Sequence, residues 1–284
     1  MQVKNRLAKF VVHLILLAGS ALFLFPLLWM ISTSLKPIEE TMKMPPQWIP
    51  TSFQFQNYWR AITYQSDKLG YIPFLQYTIN TLHVATLAVV GTVISNALVA
   101  YGFARLKWPG RDIFFAVTLA TMMVPFPVIM VPIYVVFRHL GWIGSFKPLW
   151  VPAWFGSAFN IFLLRQFFLT IPKELSDAAR VDGCSEFGIF TRIVLPLSKP
   201  ALAVVALFSF LYHWNDFLGP LVYLTDQRSF TLSLGLQFYQ SQHGGTEWNL
   251  LMAASTIVVL PIILLFFFTQ RTFIQGITVT GLKG

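Results

Sequence analysis

Six long stretches of the chain are apolar and almost free of charged side chains. Only Arg165 and Asp216 interrupt them. About 20 apolar residues in a helix cross the hydrocarbon core of a bilayer, which is roughly 30 Å thick. The pattern therefore predicts an all-α, polytopic membrane protein with six transmembrane helices in a single domain over residues 1–284. The predicted spans are 10–35, 77–104, 113–137, 148–170, 200–224 and 248–270.

The first apolar stretch has an alternative interpretation as a secretory signal peptide, because Lys4, Arg6 and Lys9 precede it. It is longer than the apolar region of such a peptide, which has about 7–15 residues, and no small-residue cleavage site follows it. We therefore expect this stretch to be retained as the first span.

Lysine and arginine are unevenly divided between the two alternating sets of segments that flank the spans. The set that contains both termini carries 13 of the 20 lysines and arginines, and the other set carries 7. The short second loop alone contains Arg105, Lys107 and Arg111. Because positive charge accumulates on the cytoplasmic side, both termini are predicted to be cytoplasmic. The two long external loops are then 36–76 and 225–247.

The composition agrees with a lipid environment. Hydrophobic residues make up 56% of the chain and charged residues 11%, whereas soluble domains carry about 25% charged residues. A net charge of +9 would suggest nucleic acid in a soluble protein. Here the positive charges lie in short clusters between apolar runs, so no nucleic-acid partner is expected. Cys184 is the only cysteine, and no disulfide can form within the chain.

The cytoplasmic loop 171–199 contains the signals of two short helices. Pro172 suits a first helical turn and Gly183 suits a helix stop, which predicts one helix over about 172–182 and another over about 185–194. The first helix is marginal by itself because of its length, so it either rests on its own transmembrane bundle or docks on a cytoplasmic partner. By helical spacing, one face of it holds Leu175, Ala178, Ala179 and Asp182.

The same loop resembles the EAA loop of the permease subunits of ABC importers. The family pattern is EAA, three residues, Gly, nine residues, Ile, one residue and Leu-Pro. This sequence has Asp177-Ala178-Ala179, then Gly183, Ile193 and Leu195-Pro196, so every spacing fits. The one departure is Asp177, where the family usually has Glu; the charge is kept and the reach of the side chain is shorter.

Weaker motifs extend the resemblance over almost the whole chain. They point to the binding-protein-dependent sugar-uptake branch, and within it to the second, six-span component of maltose permeases. They are Phe25-Pro26 in the first span, Ala100-Tyr101-Gly102 before the second loop, Trp214-Asn215-Asp216 in the fifth span, and the glycine-rich tail 276–284.

The resemblance implies a type I ABC importer permease that works by alternating access in the bacterial cytoplasmic (inner) membrane. It implies a heterodimer with a second permease subunit, two ATPase subunits that bind ATP and Mg, and an extracytoplasmic sugar-binding protein. The first loop helix, between spans 4 and 5, would be the coupling helix that docks on an ATPase. The implied ATPase-coupling residues are Glu174, Asp177, Ala178, Ala179, Asp182, Gly183, Ile193, Leu195 and Pro196.

The chain itself has no visible nucleotide, cofactor or metal motif. The G-x-x-x-x-G-K-[ST] pattern of a phosphate-binding loop is absent, as are H-E-x-x-H and C-x-x-C. We therefore expect that this subunit is not an enzyme and that its partners hydrolyse the ATP.

Polar residues in the fifth span are candidates for the solute path. Asp216 lies beside His213, Trp214 and Asn215, and an ionisable residue in a span is a functional candidate. These side chains either form a polar and aromatic wall for a sugar, or they hydrogen-bond to a neighbouring span and hold the bundle.

The same two roles are open for Asn80 and Asn160, each of which lies near the polar face of a span. Prolines are expected to kink the third span, where they serve either gating or packing. They are Pro125, Pro127 and Pro132.

Two other classes of membrane protein compete with an importer subunit. A stand-alone secondary transporter or channel for a polar solute often has internal inverted repeats and paired charges at midplane. An intramembrane enzyme needs a catalytic pair, such as two aspartates, at span positions. The sequence shows no repeat and no such pair, and co-purification of an ATPase would separate the three classes.

Overall fold

The computed structural model describes residues 2–240 and 245–281, with side chains for residues 8–240 and 245–270. Its regular elements over this part of the chain are all helical, which confirms the all-α prediction. The tail residues 282–284 lie outside the described residues. The α-helices are α1 (Gln2–Ser34), α2 (Gln56–Ile62), α3 (Ser66–Leu69), α4 (Pro73–Arg105), α5 (Arg111–Ala120), α6 (Phe126–His139), α7 (Lys147–Trp150), α8 (Ala158–Thr170), α9 (Lys173–Val181), α10 (Glu186–Ile189), α11 (Leu195–Leu197), α12 (Lys199–Asn215), α13 (Leu218–Tyr223), α14 (Leu232–Gly235) and α15 (Trp248–Gly281). Five 3-10 segments are Ile38–Glu40, Thr121–Met123, Val151–Phe155, Gln227–Ser229 and Leu236–Tyr239, and a π-helical segment covers Phe190–Val194.

Three single helices are long and apolar enough to cross a membrane, and three pairs of helices would qualify as bent spans. The single helices are Ala8–Ser34, Pro73–Arg105 and Trp248–Gln270. The pairs are bent by 100°, 74° and 79°. With each pair counted as one span, the described residues contain up to six, in agreement with the predicted number. The exact bounds of the spans stay predictions.

The predicted third span, 113–137, is not one continuous helix. Its two halves, α5 with the 3-10 turn that follows it and α6, meet at the 100° bend. Pro125 lies at this bend with φ −69° and ψ 140°. Because proline has no N–H and restricts the residue before it, it ends the helical hydrogen-bond ladder. Pro127 lies in the first turn of α6, where proline is tolerated, and Pro132 lies within α6.

The predicted fourth and fifth spans are also interrupted. Before α8, Gly156 adopts φ +85°, a conformation that glycine reaches without a steric penalty. After α12, Asp216 leaves the helical region with ψ 117°, and α13 begins at Leu218. Irregular backbone inside a membrane protein needs hydrogen-bonding partners. Asn96 supplies one at the first interruption, since its Oδ1 accepts a hydrogen bond from the Ser157 N–H at 2.8 Å.

Gly91 in α4 allows the interrupted fourth span to approach closely. The Trp154 ring occupies the space where a Cβ atom on residue 91 would lie. The same ring donates a hydrogen bond from Nε1 to the Leu87 carbonyl at 3.1 Å. A side chain at position 91 would therefore displace the tryptophan.

The chain divides into two compact units. The first comprises Met1–Leu75 and Gly235–Pro261, and its core includes Ala61, Tyr239 and Ala254.

In this first unit Asn57 is buried and closes the C-terminal end of α1. Its Nδ2 donates hydrogen bonds to the Ser34 and Lys36 carbonyls, each at 2.9 Å. Both acceptor residues are fully buried, and the last carbonyls of a helix have no partner within the helix. Asn57 therefore satisfies two carbonyls that water does not reach.

The second unit comprises Gln76–Leu234 and Ile262–Gly284. One of its cores joins α4 and α8 to the loop 171–199 and α12. Its buried residues include Tyr101, Leu164, Phe168, Ile189, Phe190, Val194 and Val205. The loop 171–199 is therefore packed on the bundle at its second helical segment.

Candidate functional site

The coupling helix predicted over 172–182 is α9, which the structure places at Lys173–Val181. Pro172 lies just before it with φ −53° and ψ 135°. Ser176 is the buried residue of α9, Ala179 is half-buried, and the other side chains of the helix are exposed. The helix therefore rests on the bundle along one narrow edge and offers the rest of its surface to another molecule.

Gly183 ends α9 in a Schellman motif. It has φ +78°, its N–H donates to the Arg180 carbonyl at 3.0 Å, and the Cys184 N–H donates to the Ala179 carbonyl at 2.9 Å. These two bonds and the left-handed glycine define this helix end. Ala179 and Cys184 also pack against the same core, which is the apolar contact that usually accompanies the motif. The prediction that Gly183 stops the helix is confirmed.

The second loop helix, predicted over 185–194, is α10 followed by the π-helical segment Phe190–Val194. The side chain of Ser185 caps α10 by accepting a hydrogen bond from the Gly188 N–H at 3.2 Å. The loop bends by 74° after α8 and by 79° before α12. These bends turn the two loop segments away from the axes of the spans on either side.

The nine predicted coupling residues fall into two groups. Six are exposed on α9, at its end or before α12: Glu174, Asp177, Ala178, Asp182, Gly183 and Pro196. Three are partly buried and pack against the core of the bundle: Ala179, Ile193 and Leu195. The first group is available to a partner, whereas the second group attaches the loop to its own subunit.

An ion-pair network that the sequence analysis did not single out joins the two loop helices. Arg180 Nη1 lies 2.6 Å from Asp177 Oδ1, and Arg180 Nε lies 2.6 Å from Glu186 Oε1. Hydrogen bonds from Arg180 hold the pKa of the Glu186 carboxyl below its ordinary value, against the effect of burial, and the Tyr101 hydroxyl lowers it further. The Asp177–Arg180 spacing is visible in the sequence, but the Glu186 contact depends on the turn at Gly183.

The C-terminal end of α4 contacts this loop at two points. The Tyr101 hydroxyl donates to Glu186 Oε2 at 2.7 Å, and Arg105 Nη2 donates to the Ile171 carbonyl at 2.6 Å. The paired positions are 85 and 66 residues apart in the chain. No local pattern reports such contacts, and the sequence analysis missed them.

Four large apolar side chains are exposed on the same loop. Val181 is 88% exposed, Phe187 68%, Leu197 48% and Leu175 44%. Large apolar groups in this number on a short, charged segment are typical of a surface that takes part in an interaction. Of these four, the sequence analysis had placed only Leu175 on the docking face.

The predicted solute-path residues of the fifth span do not all face outward. His213 and Trp214 are buried within the chain. His213 Nδ1 lies 2.7 Å from the Ser209 carbonyl, and Asp216 Oδ1 accepts from the Gly219 N–H at 3.0 Å. Asn215 is exposed, and its Nδ2 donates to the Leu211 carbonyl of its own helix at 2.8 Å.

The two other predicted asparagines differ from each other. Asn80 is buried, and its Nδ2 donates to the carbonyls of Arg228 and Phe230 at 2.8 and 2.9 Å, which holds this part of the second unit together. Asn160 Nδ2 donates to Ser157 Oγ at 2.8 Å. Among the described residues, Asn160 Oδ1 has no hydrogen-bond partner.

The charge that interrupts the fourth span is also accommodated within the chain. The Arg165 guanidinium lies 4.1 Å from the centre of the Phe115 ring, a cation–π arrangement. Its Nε donates to the Phe103 carbonyl at 3.4 Å. These contacts explain how a cation is tolerated in this apolar segment.

Comparison with known proteins identifies the family from the sequence. Residues 93–279 match the family described as binding-protein-dependent transport system inner membrane component. The arabinooligosaccharides transport system permease protein AraQ of Bacillus subtilis (strain 168) is 35% identical over 267 residues, which are 93% of this chain and 92% of that protein. The sn-glycerol-3-phosphate transport system permease protein UgpE of Rhizobium meliloti (strain 1021) is 31% identical over 98% of each chain.

The fold is similar to that of a chain in a bacterial ABC transporter involved in the import of the acidic polysaccharide alginate. The TM-score is 0.80 at 22% identity, over 94% of this chain and 97% of that chain. The helical architecture, the EAA-like loop and these matches agree, and this chain therefore belongs to the family of binding-protein-dependent transport system inner membrane components.

Proposed function

We propose that this chain is the permease subunit of an ATP-driven importer for a sugar or oligosaccharide, and that an extracytoplasmic binding protein delivers the solute. The family is named for dependence on a binding protein. AraQ is named for arabinooligosaccharides and UgpE for sn-glycerol-3-phosphate, so the relatives share polyhydroxylated solutes. The closer of the two supports an oligosaccharide.

The observation that carries the proposal is the exposed coupling helix α9. Glu174, Asp177 and Ala178 are exposed on it, and the apolar side chains of Leu175 and Val181 flank them. A nine-residue helix with one buried residue gains little from its own bundle and is marginal alone. Its surface is suited to a groove on a cytoplasmic partner, which we take to be one of two ATPase subunits that bind ATP and Mg.

In this proposal the partner supplies the energy and the chain supplies the movement. Closure of the ATPase pair on ATP would shift α9, and the bundle would alternate between outward and inward openings. The sequence has no phosphate-binding loop of its own. We therefore assign no catalytic residue to this subunit.

The chain would work as half of a membrane heterodimer. Residues 8–32 of α1 include no buried residue, so lipid or a second permease subunit must cover this stretch. The excess of lysine and arginine on the segments that contain the termini supports an orientation with both termini in the cytoplasm. The membrane would be the bacterial cytoplasmic (inner) membrane.

For direct contact with the solute, we favour Asn215 among the predicted residues. Its side chain is exposed, and its amide can therefore still bind a sugar hydroxyl. Asn160 Oδ1 is buried as well as unpaired within the described residues, so a solute does not reach it in this conformation. The other five predicted residues are assigned to holding the bundle together: Asn80, Asn160, His213, Trp214 and Asp216.

The proposal is tested by isolating the tagged chain from native membranes and by crosslinking from α9. Ala178→Cys in a Cys184→Ser background places a single reactive thiol on the exposed face of α9. We expect a bifunctional crosslinker to join it to a co-purifying ATPase. Ser52→Cys in the same background is the matched control, because it lies in the predicted external loop and should give no ATPase adduct.

The proposal is wrong if the chain purifies alone and transports solute without ATP, as a stand-alone transporter would. It is also wrong if an intact complex gives no adduct from position 178. Ligand screening of the co-purifying binding protein then identifies the solute, and a ligand without hydroxyl groups would contradict the sugar class.

A further inference from the structure

We propose that the second span, α4, is the element that receives the movement of α9, through Tyr101 and Arg105 as positioning residues. This inference rests on the proposed docking of α9 on an ATPase. In the chain, α9 is joined to the fourth and fifth spans, through α8 on one side and α10 to α12 on the other. The hydrogen bonds of Tyr101 and Arg105 connect this region, in addition, to α4, a helix far away in sequence.

The first connection lies at the N-terminal end of α9. Arg105, the last residue of α4, donates from Nη2 to the Ile171 carbonyl at 2.6 Å. Ile171 follows the last residue of α8 and is separated from α9 only by Pro172. The acceptor is a backbone atom, so this bond attaches Arg105 directly to the main chain next to the start of α9.

The second connection lies at the C-terminal end of α9 and passes through one shared carboxylate. Arg180, in the last turn of α9, donates from Nε to Glu186 Oε1 at 2.6 Å and from Nη2 to Oε2 at 3.3 Å. The Tyr101 hydroxyl donates to the same Oε2 at 2.7 Å. Glu186 therefore joins α9 to α4, and because both partners bind a carboxylate, these are strong hydrogen bonds.

The two connections start from one face of α4. Residues 101 and 105 are four positions apart, so their side chains leave the helix on the same side, one turn from each other. Their acceptors flank α9: Ile171 lies two residues before it, and Glu186 is paired with Arg180 in its last turn. Between these points α9 has one buried residue, Ser176. A helix tied at both ends to a second helix is expected to move that helix when it tilts.

The Tyr101 hydroxyl is separable from the packing of its ring. Tyr101 is 6% exposed, and its ring lies 5.0 Å from the ring of Phe190. Phenylalanine would fill the same space in this core. The hydroxyl adds the bond to the Glu186 carboxylate and a longer one, of 3.3 Å, to the Glu186 backbone carbonyl. Its removal therefore tests the connection to Glu186 and leaves the core intact.

The test uses the complete transporter in proteoliposomes and measures solute taken up per ATP hydrolysed. Tyr101→Phe is expected to lower this ratio several-fold, up to about tenfold if the lost bond to a charged acceptor, of the order of 1.4 kcal/mol, is fully expressed. Arg180→Gln, at an exposed position, should lower it as well. The double variant should be little worse than either single variant, because both act through Glu186.

Arg105 is tested by loss and by rescue. Arg105→Ala should lower the ratio, and Arg105→Lys should restore a large part of it, because a lysine can still donate one hydrogen bond to the Ile171 carbonyl. A role in folding alone would reduce the yield of assembled complex and would leave the ratio of the surviving complexes unchanged.

Tyr134→Phe is the matched control. Tyr134 stacks on Tyr223 at 6.2 Å, and no hydrogen bond of its hydroxyl is seen within residues 8–240 and 245–270. The inference is overturned if Tyr101→Phe has the same uptake per ATP as Tyr134→Phe while the crosslink from position 178 to the ATPase persists. Absence of that crosslink in the unaltered complex would instead overturn the docking of α9, and the inference with it.

Discussion

The left-handed conformation of Gly183 leads to a graded prediction for the docking of the ATPase. At φ +78°, a residue with a Cβ atom is strained, by about 1–2 kcal/mol for alanine. No heavy atom lies within 4 Å of the position that a Cβ would take. The cost of Gly183→Ala is therefore conformational and contains no steric overlap. Asparagine tolerates this conformation better than alanine, and a β-branched valine tolerates it worst.

The strain at position 183 should weaken the binding of the ATPase, because Gly183 ends α9 and directs the chain into α10. If the strain is relieved by loss of the Schellman end, the population with a correctly ended α9 falls by about tenfold for 1.4 kcal/mol. We expect Gly183→Ala to weaken binding of the purified ATPase to the permease by roughly that factor. Gly183→Asn should weaken it less and Gly183→Val more, in a detergent-based titration.

Gly141→Ala is the control for this series. Gly141 also has a positive φ, +67°, and also has no atom within 4 Å of an added Cβ. It lies in a loop that is predicted to be external, so the same backbone strain should leave ATPase binding unchanged. Equal affinities for glycine, alanine and valine at position 183 would refute the reasoning, as would an equal effect of Gly141→Ala.

Three further predictions concern stability and pH. Asn57→Ala leaves two buried carbonyls at the end of α1 without donors, which should lower the free energy of unfolding by about 2–4 kcal/mol. The thermal unfolding midpoint in detergent should fall, and Asn57→Asp should lower it at least as much. A midpoint shared by both variants and the natural protein would contradict this. Because the folded-state pKa of Glu186 is lowered, the contribution of this carboxylate to the stability of the loop is present above its unfolded pKa and is lost as pH falls through its folded pKa. Arg180→Gln removes the main cause of the lowered pKa, so it should move the loss of ATPase binding to higher pH. Gly91→Ala should lower the free energy of unfolding by about 1–3 kcal/mol, because the added methyl group overlaps the Trp154 ring. Adding Trp154→Leu in the double variant should relieve that overlap.

Features that depend on composition and on short spacing could be predicted before the structure was known. The number of spans follows from six apolar runs, because the thickness of a bilayer sets the length of a helix. The helix α9 and its end at Gly183 follow from local propensity, since glycine is the residue that adopts a left-handed conformation at low cost. The EAA-like spacing from Asp177 to Pro196 identified the family, and the relatives bear this out.

The positions at which the spans break and the contacts that hold α9 became visible only in the folded chain. The interruption at Gly156 depends on Asn96, and that at Asp216 depends on the following Gly219 N–H, which the side chain caps. The Tyr101–Glu186 bond joins positions 85 residues apart. Periodicity reports which side of a helix is apolar, but it does not report which distant helix lies against that side. Contacts between remote segments are chosen by the packing of the whole bundle, and they appear only when the chain is folded.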